Sequence, residues 1–117
     1  MTEFVKTELD SGVLTVTLAR PDKKNAITNA MYGALVEAFE RAEKDPAIRA
    51  VVIQGDGDSF TAGNDMADFA AQSKDPAIES HVYRLLRYFA GSTKPLIAAV
   101  HGNAVGIGTT MLLHCDL

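Results

Sequence analysis

Lys94-Pro-Leu-Ile-Ala-Ala-Val-His-Gly-Asn-Ala-Val-Gly-Ile-Gly-Thr-Thr-Met-Leu-Leu-His-Cys-Asp-Leu117 carries the apolar run Leu96 to Val100 straight into a stretch punctuated by glycine. The pattern reads as a buried strand, a tight turn and the start of a buried helix. A helix opening among glycines aims free backbone N–H groups at whatever lies above them. Backbone, more than side chains, would then make the site.

Upstream, Pro76 to Phe89 reads as a helix with Ile78, Val82, Leu85, Leu86 and Phe89 on one face. Ala50-Val-Val-Ile53 is a short apolar run expected as an interior strand, and Gln54-Gly-Asp-Gly-Asp-Ser59 after it is too rich in glycine for regular structure. From Asn29 to Lys44, Met31, Leu35, Ala38, Phe39 and Ala42 recur at spacings of three and four, which predicts an amphipathic helix. Thr28 or Asn29 can cap it and Asp45-Pro46 ends it. Phe4 to Leu9 and Val13 to Ala19 are β-rich and flank Asp10-Ser-Gly12, a hairpin signal. In the second segment Leu14, Val16 and Leu18 alternate with Val13, Thr15 and Thr17, which puts one face on the core. The order is a hairpin, then helix, strand, helix, strand and helix. It predicts an α/β chain whose sheet is covered by crossover helices.

The 117 residues, 47% of them apolar, suit one soluble globular unit with a single core. Net charge is −4, and no cluster among the 11 basic residues is dense enough to follow a phosphate backbone, which argues against nucleic acid as a partner. A single cysteine, Cys115, forms no internal disulfide framework or metal cluster; among Leu112, Leu113 and Leu117 it is expected to be a buried structural thiol. No two histidines or cysteines stand at ligand spacing, so no metal site is expected at His81, His101 or His114. The N-terminus lacks a basic leader followed by an apolar core, and Leu96 to Val100 is too short to cross a bilayer. The expected location is the cytoplasm, with no membrane partner.

Two stretches are candidate sites. Phe60-Thr-Ala-Gly-Asn-Asp-Met66 follows a predicted strand, at the end of the sheet where α/β folds bind ligands. Gly63 would let the chain turn closely and leave the amide of Asn64 exposed. Gly102-Asn-Ala-Val-Gly-Ile-Gly108 follows the next strand, and Gly106 and Gly108 would leave room for a ligand near the amide of Ile107. Two amides converging on one oxygen would stabilise a thioester enolate. Read from spacing alone, the same glycines also suit tight turns and close packing, since neither stretch matches a phosphate or dinucleotide loop.

Three linked motifs resemble the crotonase superfamily, the enoyl-CoA hydratase/isomerase fold. They are Arg20-Pro-Asp-Lys-Lys-Asn-Ala-Ile27, Ile53-Gln-Gly-Asp-Gly-Asp-Ser-Phe-Thr-Ala-Gly-Asn-Asp-Met66 and Lys94 to Gly108, in that order. The resemblance spans essentially residues 1–117 and implies the N-terminal part of a truncated ββα spiral. It implies a CoA thioester whose carbonyl is held by the backbone amides of Asn64 and Ile107, with coenzyme A as part of the substrate and no prosthetic group. The loop Ala62, Gly63, Asn64, Asp65 and Met66 would then lie along the CoA moiety, with Gly106 beside it. Homo-trimers or hexamers are implied, with much of the trimer contact and, in many members, a catalytic carboxylate supplied after Leu117, where Asp116-Leu117 would begin a further strand.

Thr110 departs from the hydratase pattern, which carries a glutamate at this position. A threonine hydroxyl is no base near neutral pH, which argues against ordinary hydration. Gly-Asn-Ala-Val-Gly-Ile-Gly-Thr-Thr-Met-Leu-Leu is more similar to the Δ3,Δ2-enoyl-CoA isomerase branch, in which one carboxylate moves a proton from C2 to C4. Hydration, other thioester chemistry, or acyl-CoA binding without catalysis are the alternatives. The fragment alone is expected to be inactive and to expose a wide apolar face. Lys23 and Lys24 are candidates for the CoA phosphates or a solvated surface. Asp65 is expected to hold its own loop or touch the ligand, Asp68 to be an early-helix charge, and Asn25 to cap or brace the turn that follows it, with no catalytic role. His101 could fix the glycine turn. Phe60, Met66 and Phe69 are expected either in the core or along an acyl channel.

Overall fold

The computed structural model describes residues 2–77 and 80–117. Strands β1 (Val5–Asp10) and β2 (Val13–Leu18) form the expected hairpin, with Leu9 opposite Leu14. The chain then forms α1 (Asn29–Lys44), β3 (Ala50–Gly55), α2 (Met66–Lys74), α3 (Val82–Gly91), β4 (Leu96–Ala99) and α4 (Ile107–Thr110). The sheet order is β1-β2-β3-β4; the first pair is antiparallel and the other two are parallel. This is an α/β, crotonase-like ββα arrangement with a mixed sheet and flanking helices.

The core follows the two periodicities. Leu14, Val16 and Leu18 are buried every second residue, in register with Val51 and Ile53 of β3. Helix α1 lays Met31, Leu35, Phe39 and Ala42 on them, all fully buried. Its N-terminus is closed by Thr28, whose hydroxyl accepts from the Met31 amide at 3.2 Å. Phe39 stacks on Tyr88 of α3 at 4.9 Å between ring centroids and tilts against Phe89 at 5.8 Å. Such pairs add about 1 kcal/mol beyond the area they bury.

Several expectations need correction. β3 runs two residues past Ile53, to Gly55, because it pairs with β2 along its whole length. The second long helix starts at Val82 rather than Pro76. Asp75 turns the chain first, its carboxylate accepting from the Ala77 amide at 3.0 Å, and His81 N–H is held by the Asn29 side chain at 3.1 Å. On that helix Leu85 and Phe89 are buried; Ile78 lies outside the described residues. α2 is an additional helix, of which only the early charge Asp68 was expected, and it buries none of its side chains.

The glycine-led helix, expected to be buried, is four residues of α-helix followed by a 3-10 turn over Met111–His114. Gly108 and Met111 are buried, but Val105, Leu113 and Leu117 are exposed. The Cys115 amide makes the last helical bond, to Leu112 C=O, and the chain then returns to β4: Asp116 N–H donates to Leu96 C=O at 2.8 Å, and Leu96 N–H to the Asp116 carboxylate at 2.9 Å. Cys115 is accordingly half-buried rather than enclosed by leucines. Burial still pushes its thiol pKa up, with the neighbouring Asp116 carboxylate adding to the effect. Among the described residues no helix is long and apolar enough to cross a membrane.

Candidate functional site

Past the ends of β2, β3 and β4, three loops pack as extended segments side by side. Ile27 N–H donates to Gly63 C=O at 2.8 Å and Asp65 N–H to Ile27 C=O at 2.9 Å, so Ile27 and Asn64 pair as in a parallel sheet. Thr61 and Ala104 pair the same way: Thr61 N–H donates to Asn103 C=O at 3.0 Å, and Val105 N–H to Thr61 C=O at 3.1 Å. The 60–66 loop therefore runs between the other two. The loops touch at glycine: a Cβ on Gly63, whose φ is +90°, would lie 2.9 Å from Val105 C=O and 3.8 Å from the Gly106 Cα.

Among the donors this packing leaves open are the two predicted ones, alongside those of Phe60, Met66, Gly102, Asn103, Ala104 and Gly106. Among the described residues nothing accepts from the N–H of Asn64 or of Ile107. The pairing of Asn64 explains the first, since its neighbours, Gly63 C=O and Asp65 N–H, make the bonds to Ile27. Ile107 opens α4 behind Gly106, whose φ of +60° and ψ of −122° belong almost to glycine alone. Gly106 thus serves the turn that frees Ile107 N–H. Gly108 has a different use from the one expected: a Cβ there would meet the Thr61 methyl at 2.4 Å, so its bareness accommodates Thr61 rather than a ligand.

A buried polar network fixes the loops. Asn25, fully buried, ties the preceding turn to the 56–60 loop rather than capping or bracing the turn that follows it: its Oδ1 accepts from Arg20 N–H at 2.8 Å and its Nδ2 donates to Asp56 C=O at 2.8 Å and Ser59 C=O at 2.9 Å. Thr61 Oγ1 donates to Asn25 C=O at 2.7 Å and accepts from Gly63 N–H at 3.1 Å. Asp65 holds its own loop. One carboxylate oxygen caps α2 by accepting from Asp68 N–H at 2.9 Å; the other accepts from Arg20 Nη1 at 2.7 Å. The Asp68 amide and then Arg20 hold the Asp65 carboxyl below the ordinary carboxylate range. Asp68 in turn accepts from Asn29 N–H at 2.7 Å, tying α2 to the start of α1. His101 Nε2–H donates to Gly57 C=O at 2.6 Å and so fixes the upstream glycine turn.

Of the other predicted residues, Ala62 N–H donates to Lys24 C=O at 2.9 Å, joining the first loop to the lysine turn. Lys24 Nζ pairs with the exposed Asp58 carboxylate at 2.6 Å, and that bond holds the Asp58 pKa down. Lys23 is exposed, and its ammonium has no partner among the described residues. Phe60 is core; Met66 and Phe69 are exposed, so core packing fails for these two. Sequence reasoning gave no part to Arg20, Tyr32 or Thr61. Tyr32, buried on α1, donates its hydroxyl to the Asn64 side-chain carbonyl. Two open grooves of about 440 and 450 Å³ lie along α1, and neither is lined by a residue of the glycine loops. No group of three or more His, Cys, Asp or Glu among the described residues could hold a metal ion.

A ββα fold with three such loops at one sheet end defines the class. The family model described as enoyl-CoA hydratase/isomerase matches residues 8–117, and the chain belongs to that family. Among curated relatives it is 35% identical to the 1,2-epoxyphenylacetyl-CoA isomerase of Escherichia coli, covering 100% of this chain and 47% of that protein. It is 34% identical to the mitochondrial Delta(3,5)-Delta(2,4)-dienoyl-CoA isomerase of Mus musculus, over 95% of this chain and 38% of that protein. Among solved structures, Pseudomonas aeruginosa OdaA superposes with a TM-score of 0.90 at 50% identity, covering 99% of this chain and 47% of the other. The chain thus spans less than half the length of these relatives.

Proposed function

We propose that the protein acts on an acyl-CoA thioester whose carbonyl oxygen is bound by the N–H groups of Asn64 and Ile107. The observation that carries this reading is the pair of free amides on two loops that meet at Gly63 and Gly106. Donors held by a packed backbone need no reorganisation as charge develops on the oxygen, and each such donor is worth about 3 kcal/mol in a transition state. The CoA moiety lies along Ala62, Gly63 and Met66, with Gly106 opposite. Lys23 and Lys24 reach its phosphates, and Asp65 meets it through backbone, since both carboxylate oxygens are engaged.

The reaction is a shift of the 3-enoyl-CoA double bond to the 2-position. A base removes a proton from C2, the electron pair spreads into the thioester as a dienolate, and the same proton returns at C4. No co-reactant is consumed. The base comes from elsewhere in the whole protein, because Asp65 and Asp68, the carboxylates beside the first loop, already bind backbone and Arg20. Thr110 supports isomerisation over hydration: it is exposed one turn into α4, where a hydroxyl offers no base for water. The whole protein works in the cytoplasm as a homo-trimer or hexamer. Turnover of 3-enoyl-CoA well above hydration of 2-enoyl-CoA is the expected result; equal rates would defeat the isomerase assignment.

A further inference from the structure

Asn64 brings a complication to the site it serves. An asparagine side-chain oxygen readily accepts from its own or a neighbouring backbone N–H, and here its own N–H has no acceptor among the described residues. Left loose, Oδ1 competes with any ligand for that donor. The backbone of Asn64 is already fixed on both sides through Ile27, so an anchor on the side chain adds little to the loop's path. Yet such an anchor exists: Tyr32 donates its hydroxyl to Oδ1 from the first turn of α1. Tyr32 is 5% exposed, its backbone N–H is bound to Thr28 C=O at 3.0 Å, and it sits on the helix that carries the core. Burial pushes its phenol well above the ordinary value, so it remains a donor throughout the neutral range.

We infer that Tyr32 is a positioning residue that keeps the Asn64 donor vacant by capturing the oxygen that would otherwise quench it. The inference rests on the two-amide reading above. It makes the pair a device: the side chain of Asn64 is held away so that its main chain can work.

The test uses the protein as its own cell makes it, with crotonyl-CoA carrying ¹³C at the thioester carbonyl as probe. Binding to the wild type should move the carbonyl resonance downfield. Y32F should lose most of that shift and lower kcat for isomerisation by about tenfold or more with little change in KM, the pattern of a weakened transition-state donor. In the N64A background, where the competing oxygen is gone and the backbone N–H remains, Y32F should have no further effect. A structural role for Tyr32 would give equal losses in both backgrounds, and that result, or no loss in either, overturns the inference while the two-amide reading stands. A wild type that binds the probe without moving its carbonyl overturns that reading, and the inference with it.

Discussion

Replacing Gly63 by alanine tests the loop packing most sharply, because two costs fall on one methyl group. At φ +90° an L-residue is strained by about 1–2 kcal/mol. The new Cβ would also sit 2.9 Å from Val105 C=O, closer than real contacts allow, with backbone as the obstacle. Val105 can retreat only by stretching its 3.1 Å bond to Thr61 C=O, worth about 1 kcal/mol. The sum is about 2–3 kcal/mol. At roughly 4 °C per kcal/mol for a chain of this size, G63A should melt about 8–12 °C below the wild type. Thermal unfolding followed by far-UV circular dichroism measures it, with G91A as control. Gly91 has open space where its Cβ would lie and closes α3, so alanine there should be neutral or stabilising by up to about 1 kcal/mol. Equal melting temperatures for G63A and G91A would refute the claim that the loops meet at Gly63.

Three further outcomes follow from the same geometry. G108A drives a methyl into the Thr61 methyl at 2.4 Å and should destabilise by about 1–3 kcal/mol; T61S, which removes that methyl and keeps the hydroxyl, should recover much of the loss in the double variant. Asp65, with its folded pKa below the unfolded value near 3.9, contributes stability that is present above that value and lost as pH falls through the folded one. D65N should therefore be less stable at pH 7 and show a flatter acid limb in chemical denaturation from pH 6 to 2; parallel curves would deny the Arg20 and Asp68 contacts. K23A/K24A should weaken CoA-thioester binding with a penalty that shrinks as salt rises, without unfolding, since the Lys24–Asp58 pair is exposed and screened by solvent. Unchanged affinity across an ionic-strength series would remove both lysines from the site.

What the sequence revealed of the fold follows the strength of its periodicities. The hairpin and α1 were legible because Leu14, Val16 and Leu18 alternate and Met31, Leu35, Phe39 and Ala42 line one helical face, and the core forms on both. α2 was hidden because a helix that buries nothing leaves no apolar rhythm; its one signal is the pair Asp65 and Asp68, cap and first-turn charge. The start of α3 is marked by the bond that His81 N–H donates to the Asn29 side chain, 52 residues away in sequence, which no local pattern contains. The site divides the same way. The glycines at 63 and 106 announced tight backbone, and the freed amides follow from it. The contacts of Arg20 with Asp65, Tyr32 with Asn64 and Thr61 with Gly108 exist only because segments distant in sequence meet, and single residue types do not announce them. Gly108 is the instructive case: the same bareness that reads as ligand space is filled by a neighbouring methyl.

The central claim is that Asn64 and Ile107 bind one oxygen together. The most direct measurement is a ¹H–¹⁵N titration of the labelled protein with crotonyl-CoA, following those two backbone amides. Both resonances are expected to move downfield along one saturation curve, while the Ile27 amide, already bonded to Gly63, moves little. Movement of only one of the two, or of neither at saturating ligand, would contradict it.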